Sequence, residues 1–187
     1  MKDGLRTLNF QGNSKDMVVL FYGLEDQCVW FLSEDDILNE ALPKPLRELA
    51  QVSNLSRILD APIKEGYPST TVFGKEPEPS WCTYYQKADL ARQKGDWTQV
   101  RDLGKEAQSK GFKPDYGYEY LPFIQAHGAF EEWQQAADLS QKAYQRSKDV
   151  QLLLCAAWQS FAAEQGSNPG FERVYKEIHK NLACGGD

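Results

Sequence analysis

A chain of 187 residues with 41% hydrophobic and 26% charged side chains can bury one good-sized core or two small ones, which excludes a largely disordered chain. Its 21 basic residues stand against 27 acidic ones for a net charge of −6, with no long basic run, so nucleic acid is not an expected partner. The longest apolar run, Met17 to Tyr22, is about a third of the roughly 20 residues a membrane-spanning helix needs, and no secretion-signal pattern opens the chain.

From the N-terminus, "LRTLNF" alternates, "MVVLFY" is β-branched and aromatic, and "QCVWFL" follows after "GLEDQ", a glycine-containing connection that suits a hairpin. Two or three antiparallel strands are expected here. Ser33 then precedes Glu34, Asp35 and Asp36, a helix start in which the hydroxyl caps free amides and the carboxylates face the positive end of the dipole. In "LPKPLRELAQVSNLSRIL", Pro45 takes a first-turn position, and Leu46, Leu49, Val52 and Leu55 or Ile58 follow at helical spacing. Residues 1–60 thus read as a small α/β unit. Residues 61–80 change character, with Pro62, Pro68, Pro77 and Pro79 plus Gly66 and Gly74, and read as a connector rather than a helix.

Residues 81–183 read as helical. Trp81, Tyr84, Tyr85, Ala88 and Ala91 share one face, Gly95 ends that helix with a left-handed cap, and Asp96 starts the next. The second helix presents Trp97, Val100, Leu103, Gly104 and Ala107, whose small members let two antiparallel helices approach closely. Trp97, Val100, Leu103 and Ala107 recur as Trp133, Ala136, Leu139 and Ala143, each 36 residues on. "HGAFEEW" stands where "KGDW" stood, with a turn read as three residues longer. A weaker third copy runs through Val150, Leu153, Leu154, Ala157 and Phe161, breaks at "EQGSNPG", and resumes with Phe171, Val174, Tyr175 and Ile178. Helix pairs at this period predict a mainly α fold, a solenoid of about three helix hairpins in which stacked neighbours supply the core.

"GDWTQVRDLGKEA" resembles the turn and second helix of a tetratricopeptide repeat, with Gly95, Asp96, the aromatic Trp97 and Ala107 in the usual places; Val100 stands where Ala is commonest, and a leucine ahead of Ala88 is missing. Over nearly the whole chain, "CVWFLSEDD", "SNLSRI", "VFGKEPEPSWCTYYQKADLARQKGDW" and "EYLPFIQAHGAFEEWQQAADLS" are similar to the soluble C-terminal portion of large polytopic bacterial membrane proteins, often likened to glycosyltransferases that use lipid-linked sugars. That resemblance implies a membrane-attached parent whose spanning helices lie upstream of Met1, with this domain outside the bilayer on the extracytoplasmic face.

Catalytic chemistry has little to stand on. Cys28, Cys82, Cys155 and Cys184 are far apart and form no CxxC pair, which argues against a zinc site or a redox dithiol. They read as buried thiols, with a single bridge such as Cys28 to Cys82 as the alternative in an oxidising compartment. Of the two histidines, His127 reads as a helix-end residue facing the dipole, its pairing with Glu131 or Glu132 hindered by the glycine turn, and His179 as solvated. No nucleophile elbow, phosphate-cradling loop or HExxH motif is present. Neither metal nor cofactor is expected.

Aromatic residues are the denser signal. Burying an indole removes roughly 200 Å² from water, on the order of 5 kcal/mol, so Trp97 and Trp133 at matched repeat positions are expected in the core. The tyrosines of "PDYGYEYLPF" cannot all point inward. Trp81, Tyr84, Tyr85, Arg92, Tyr118, Glu119 and Tyr120 are therefore the candidate lining of a concave groove for a protein segment or a glycan. The preferred reading is a non-catalytic interaction or scaffold domain that binds a protein or peptide, or docks on the membrane part of its own parent. The alternative is an accessory domain of a membrane glycosyltransferase using lipid-linked sugar donors.

Overall fold

The computed structural model describes residues 2–5, 8–23, 28–58, 70–75, 77–165 and 168–185. Strands are few and short. β1 (Lys2–Leu5) pairs antiparallel with β2 (Leu8–Gln11), Leu5 opposite Leu8, so "LRTLNF" is shared between two strands rather than forming one. β3 (Leu20–Phe21) pairs with β4 (Trp30–Phe31), the hairpin expected between "MVVLFY" and "QCVWFL", at two residues a side.

The start at Ser33 forms, as a 3-10 turn over Glu34–Leu38. Ser33 and Asp36 form a capping box, its reciprocal half being Asp36 Oδ2 accepting from the Ser33 backbone N–H at 2.8 Å. α1 (Lys44–Ala50) has Pro45 in its first turn but stops well short of Ile58, and Leu55–Arg57 is a separate 3-10 turn. Leu49 and Val52, read at helical spacing, are 45% and 49% exposed. Asn54 explains the break: its amide donates to Lys15 O at 2.8 Å while its oxygen accepts from Ser56 N at 3.2 Å, and such local bonds compete with the helical ladder. Within the expected connector, α2 (Thr70–Phe73) is a single helical turn; residues 61–69 lie outside the described residues.

Behind it the fold is helical throughout, confirming the mainly α class. α3 (Trp81–Gln93) buries Tyr84, Tyr85, Ala88 and Ala91, the face the spacing predicts. Gly95 takes φ +72°, which L side chains rarely adopt, and Asp96 caps α4 (Trp97–Ser109) by accepting from Gln99 N at 3.0 Å. A 3-10 turn over Gly117–Tyr120 leads into α5 (Leu121–Ala129), with Pro122 in the first turn, and α6 (Trp133–Arg146) returns antiparallel. α7 (Gln151–Gln165) and α8 (Pro169–Asn181) complete the third pair.

The second helix of each pair starts at Trp97, Trp133 and Pro169, an interval of 36 residues both times. The turn before α6 is therefore no longer than the one before α4, contrary to the expectation. Glu131, not Gly128, is its left-handed residue, at φ +57° and 36 positions after Gly95. Asp96 N bonds Ala91 O and Glu132 N bonds His127 O, each at 2.9 Å, so the two turns are built alike.

Trp133 is buried, as expected. Trp97 is half-buried against a small cluster of Ala88, Ala91, Val100, Phe123 and Ala126. Gly104 does permit a close approach, but of Phe123 from α5: a Cβ at Gly104 would lie 2.8 Å from that ring.

The thiol reading is corrected. Cys28 is bridged to Cys82, and Cys155 to Cys184. The first bridge ties the N-terminal unit to α3 and the second ties α7 to the chain beyond α8. Cys28, Trp30, Leu32, Leu42 and Ala50 share one core with Tyr85, Tyr118, Trp133 and Trp158, so the N-terminal unit closes the stack rather than standing apart from it.

Candidate functional site

Closure by the N-terminal unit decides where a partner can reach. Of the expected groove residues, Tyr84, Tyr85, Arg92, Tyr118 and Glu119 are each 6% exposed or less, so they do not together line one open groove. Trp30 sits with its ring centroid 4.5 Å from that of Tyr118, and the buried Asp36 carboxylate bonds the Tyr118 hydroxyl. Arg92 Nη1 donates to Asp35 Oδ2 at 3.0 Å and its Nε to Asp89 Oδ1 at 2.7 Å. Burial alone would lower the Arg92 pKa, but the charge and hydrogen bond of Asp89, together with Tyr118 and Asp35, outweigh it and hold the group above its ordinary value. Glu119 Oε2 accepts from Trp81 Nε1 at 2.6 Å and from Asp115 N at 3.0 Å, and burial raises its pKa despite those bonds. Arg92 and Glu119 are thus internal ties, not bait.

Trp81 and Tyr120 are only half-buried. Both line a cleft of about 380 Å³ between α4, α5 and α6, a volume within the range of ligand pockets. Its floor is Phe123 and Ala126 of α5, with Gly104 and Leu139 beside them and Phe112 and Pro114 closing one end. α4 contributes Arg101, Lys105 and Gln108, α6 contributes Lys142, and the α4–α5 connection contributes Lys113. No carboxylate lines the cleft, although acids outnumber bases in the chain. Among the described residues, none of Arg101, Lys105, Lys113 or Lys142 forms an ion pair. Arg101 is steadied instead by stacking, with its guanidinium carbon 3.9 Å from the Phe130 ring centroid.

Helical register explains the cluster. Arg101, Lys105 and Gln108 lie at i, i+4 and i+7 on α4, one stripe beside the apolar one that carries Val100 and Ala107. From sequence only the apolar stripe of this helix stands out, although the basic residues lie beside it at helical spacing. Lys142 and Lys113 join it only through packing.

His127 also lines the cleft, and its Nδ1 lies 2.5 Å from Glu132 Oε2. The expected obstacle to that pairing is absent, because α5 runs through Gly128 to Ala129 and the turn brings Glu132 back over the helix end. No group of three or more His, Cys, Asp or Glu is placed to hold a metal among the described residues, and none of their helices is long and apolar enough to cross a membrane. A second hollow of about 580 Å³, lined by Phe21, Trp30, Tyr118 and the segment 146–149, carries both signs of charge, Asp115 and Asp149 against Arg146 and Lys148. It lacks the one-signed character of the α4–α5–α6 cleft. The chain matches no known family model, no curated protein and no solved structure.

Proposed function

We propose that this chain is a non-catalytic recognition module, a tetratricopeptide-like stack that takes a protein segment in the α4–α5–α6 cleft. The observation that carries this reading is the cleft itself, an apolar floor between successive hairpins edged by Arg101, Lys105, Lys113 and Lys142, which form no ion pair among the described residues. Two disulfides support a place outside the reducing cytosol, in keeping with a domain on the extracytoplasmic face of a bacterial membrane, attached through a larger parent. The aromatic floor under a cationic rim also favours a second reading, an accessory domain of a membrane glycosyltransferase that handles lipid-linked sugar donors.

A photo-cross-linking residue at exposed Gln108, introduced into the protein expressed in its own cells, is expected to capture a defined partner. The same residue at exposed Lys176 on α8 is expected to capture none. Equal capture from both positions overturns the assignment of the cleft, and capture of a glycolipid instead of a protein selects the second reading.

A further inference from the structure

We infer that the cleft selects an anionic segment, one that presents a bulky apolar side chain directly beside a carboxylate or a phosphate. The inference rests on the cleft being the recognition site and adds the chemistry of its occupant.

Two observations meet there. Apolar groups form the base, with Phe123 and Ala126 below and Trp81 to one side, so an occupant must bring apolar surface of its own to displace water. Around them stand Arg101, Lys105, Lys113 and Lys142 without carboxylate partners among the described residues. By contrast, Lys110, just past the end of α4, lies 2.8 Å from Glu106 Oε1, and Arg92 of α3 is held by two carboxylates. A neutral or cationic occupant would leave the rim charges partly desolvated and unmatched. An anion placed over an apolar anchor satisfies both. Arg101, stacked on Phe130, loses little freedom on meeting it and offers the planar fork that suits carboxylate and phosphate alike. The volume of about 380 Å³ holds one such anchor and its neighbouring acid, not a folded element.

The test uses a matched pair of fluorescent probes, 8-anilino-1-naphthalenesulfonate and the uncharged N-phenyl-1-naphthylamine, on the intact, oxidised protein. The sulfonate is expected to bind at least about tenfold tighter than its neutral analogue. Raising NaCl to about 0.5 M is expected to remove most of that difference. The Lys105→Gln/Lys142→Gln double variant, both sites exposed, is expected to weaken the sulfonate about tenfold and the neutral probe less than twofold, with unchanged near-UV circular dichroism. The blocked peptide acetyl-Phe-Glu-Glu-Phe-amide is expected to displace the sulfonate at a concentration at which acetyl-Phe-Gln-Gln-Phe-amide does not. A phosphotyrosine peptide of the same length that displaces better than the glutamate peptide identifies phosphate as the preferred acid. Equal affinity for both probes, or equal displacement by the glutamate and glutamine peptides, overturns the anion preference while leaving the cleft a binding site. If neither probe binds, or if filling the cleft by Gln108→Trp leaves both unaffected, the recognition reading falls as well.

Discussion

The contact between the second and third hairpins can be broken with one methyl group. Gly128 is buried in α5, and a Cβ built on it would lie 2.3, 2.4 and 2.9 Å from Cζ, Cε1 and Cε2 of Phe161 in α7. Those are rigid ring atoms, so the overlap cannot be relieved by a flexible end, and overpacking of this kind costs about 3 kcal/mol. Against it stands the greater helix propensity of alanine, at most about 1 kcal/mol. Gly128→Ala is therefore expected to destabilise by about 2 kcal/mol net, which lowers the melting temperature by about 4–8 °C in a chain of this size. Phe161→Leu removes the three clashing atoms, and in that background Gly128→Ala is expected to be neutral or to stabilise by up to about 1 kcal/mol. The coupling between the sites is then about 2–3 kcal/mol. Urea melts of the four proteins followed by far-UV circular dichroism, with disulfides intact, measure it. A Gly128→Ala cost that is the same in both backgrounds within about 0.5 kcal/mol refutes the seam.

Two further outcomes follow from groups the helical pattern does not explain. The Cys155–Cys184 bridge spans 29 residues, for which the loop-entropy account gives about 3.5 kcal/mol. Cys155→Ser/Cys184→Ser is expected to lose about that much in a guanidinium melt, and thiol titration of the unfolded, unreduced wild type is expected to find no free thiol; finding four contradicts both bridges. Glu119 has a carboxyl raised by burial above its ordinary value of 4.5, so the folded state holds that proton more tightly than the unfolded one. Its contribution to stability must then fall as pH rises from about 4.5 through the raised value. Glu119→Gln, which keeps an acceptor for Trp81 Nε1, is expected to be more stable than wild type at pH 7, with the difference closing as pH is lowered towards 4.5; a difference that opens instead contradicts the assignment.

How far the sequence could be read depends on the range of each interaction. The turn at Gly95 and Asp96, and the stripe from Tyr84 to Ala91, arise from residues a few positions apart, and period and capping rules capture them. The turn before α6 misleads because the nearby glycine, Gly128, lies within α5 and is not the residue with positive φ. Gly128 is there to admit Phe161, and Glu131 takes the left-handed conformation at a cost of about 1–2 kcal/mol. The disulfides are non-local, with partners 54 and 29 residues apart, and no spacing rule pairs them. The groove residues fail for a similar reason. Aromatic and charged side chains on α3 look available until the N-terminal unit arrives over them, with Asp35 reaching Arg92 across 57 positions of sequence. Lys113 and Lys142 enter the cleft from separate elements, so the site exists only once the hairpins have stacked.

The repeat interval explains why the first hairpin needs the N-terminal unit against it. Gly128 meets Phe161, and 36 positions earlier Arg92 donates to Gln125 Oε1 at 3.4 Å; both members of the pair shift by the same interval. The same meeting point between first helices is thus filled twice, once by glycine and a ring, once by arginine and an amide. The apolar version needs nothing further, because a third hairpin covers it. The polar version lies at the exposed end of the series, where an uncovered apolar face would be a liability and terminal repeats call for a polar cap. Arg92 supplies that polarity, yet it is buried, and a buried guanidinium with one partner is costly. Asp35, brought in by the N-terminal unit, joins Asp89 in neutralising it. The N-terminal unit therefore completes the series at α3 and also lies along it, because the turn Glu34–Leu38 packs against α7; the Cys28–Cys82 bridge fixes the unit to α3. Covering α3 in this way consumes the face on which a groove was expected. It leaves the α4–α5–α6 cleft, which no described residue of the N-terminal unit lines, as the place where cations without an ion pair among the described residues meet aromatic surface and solvent.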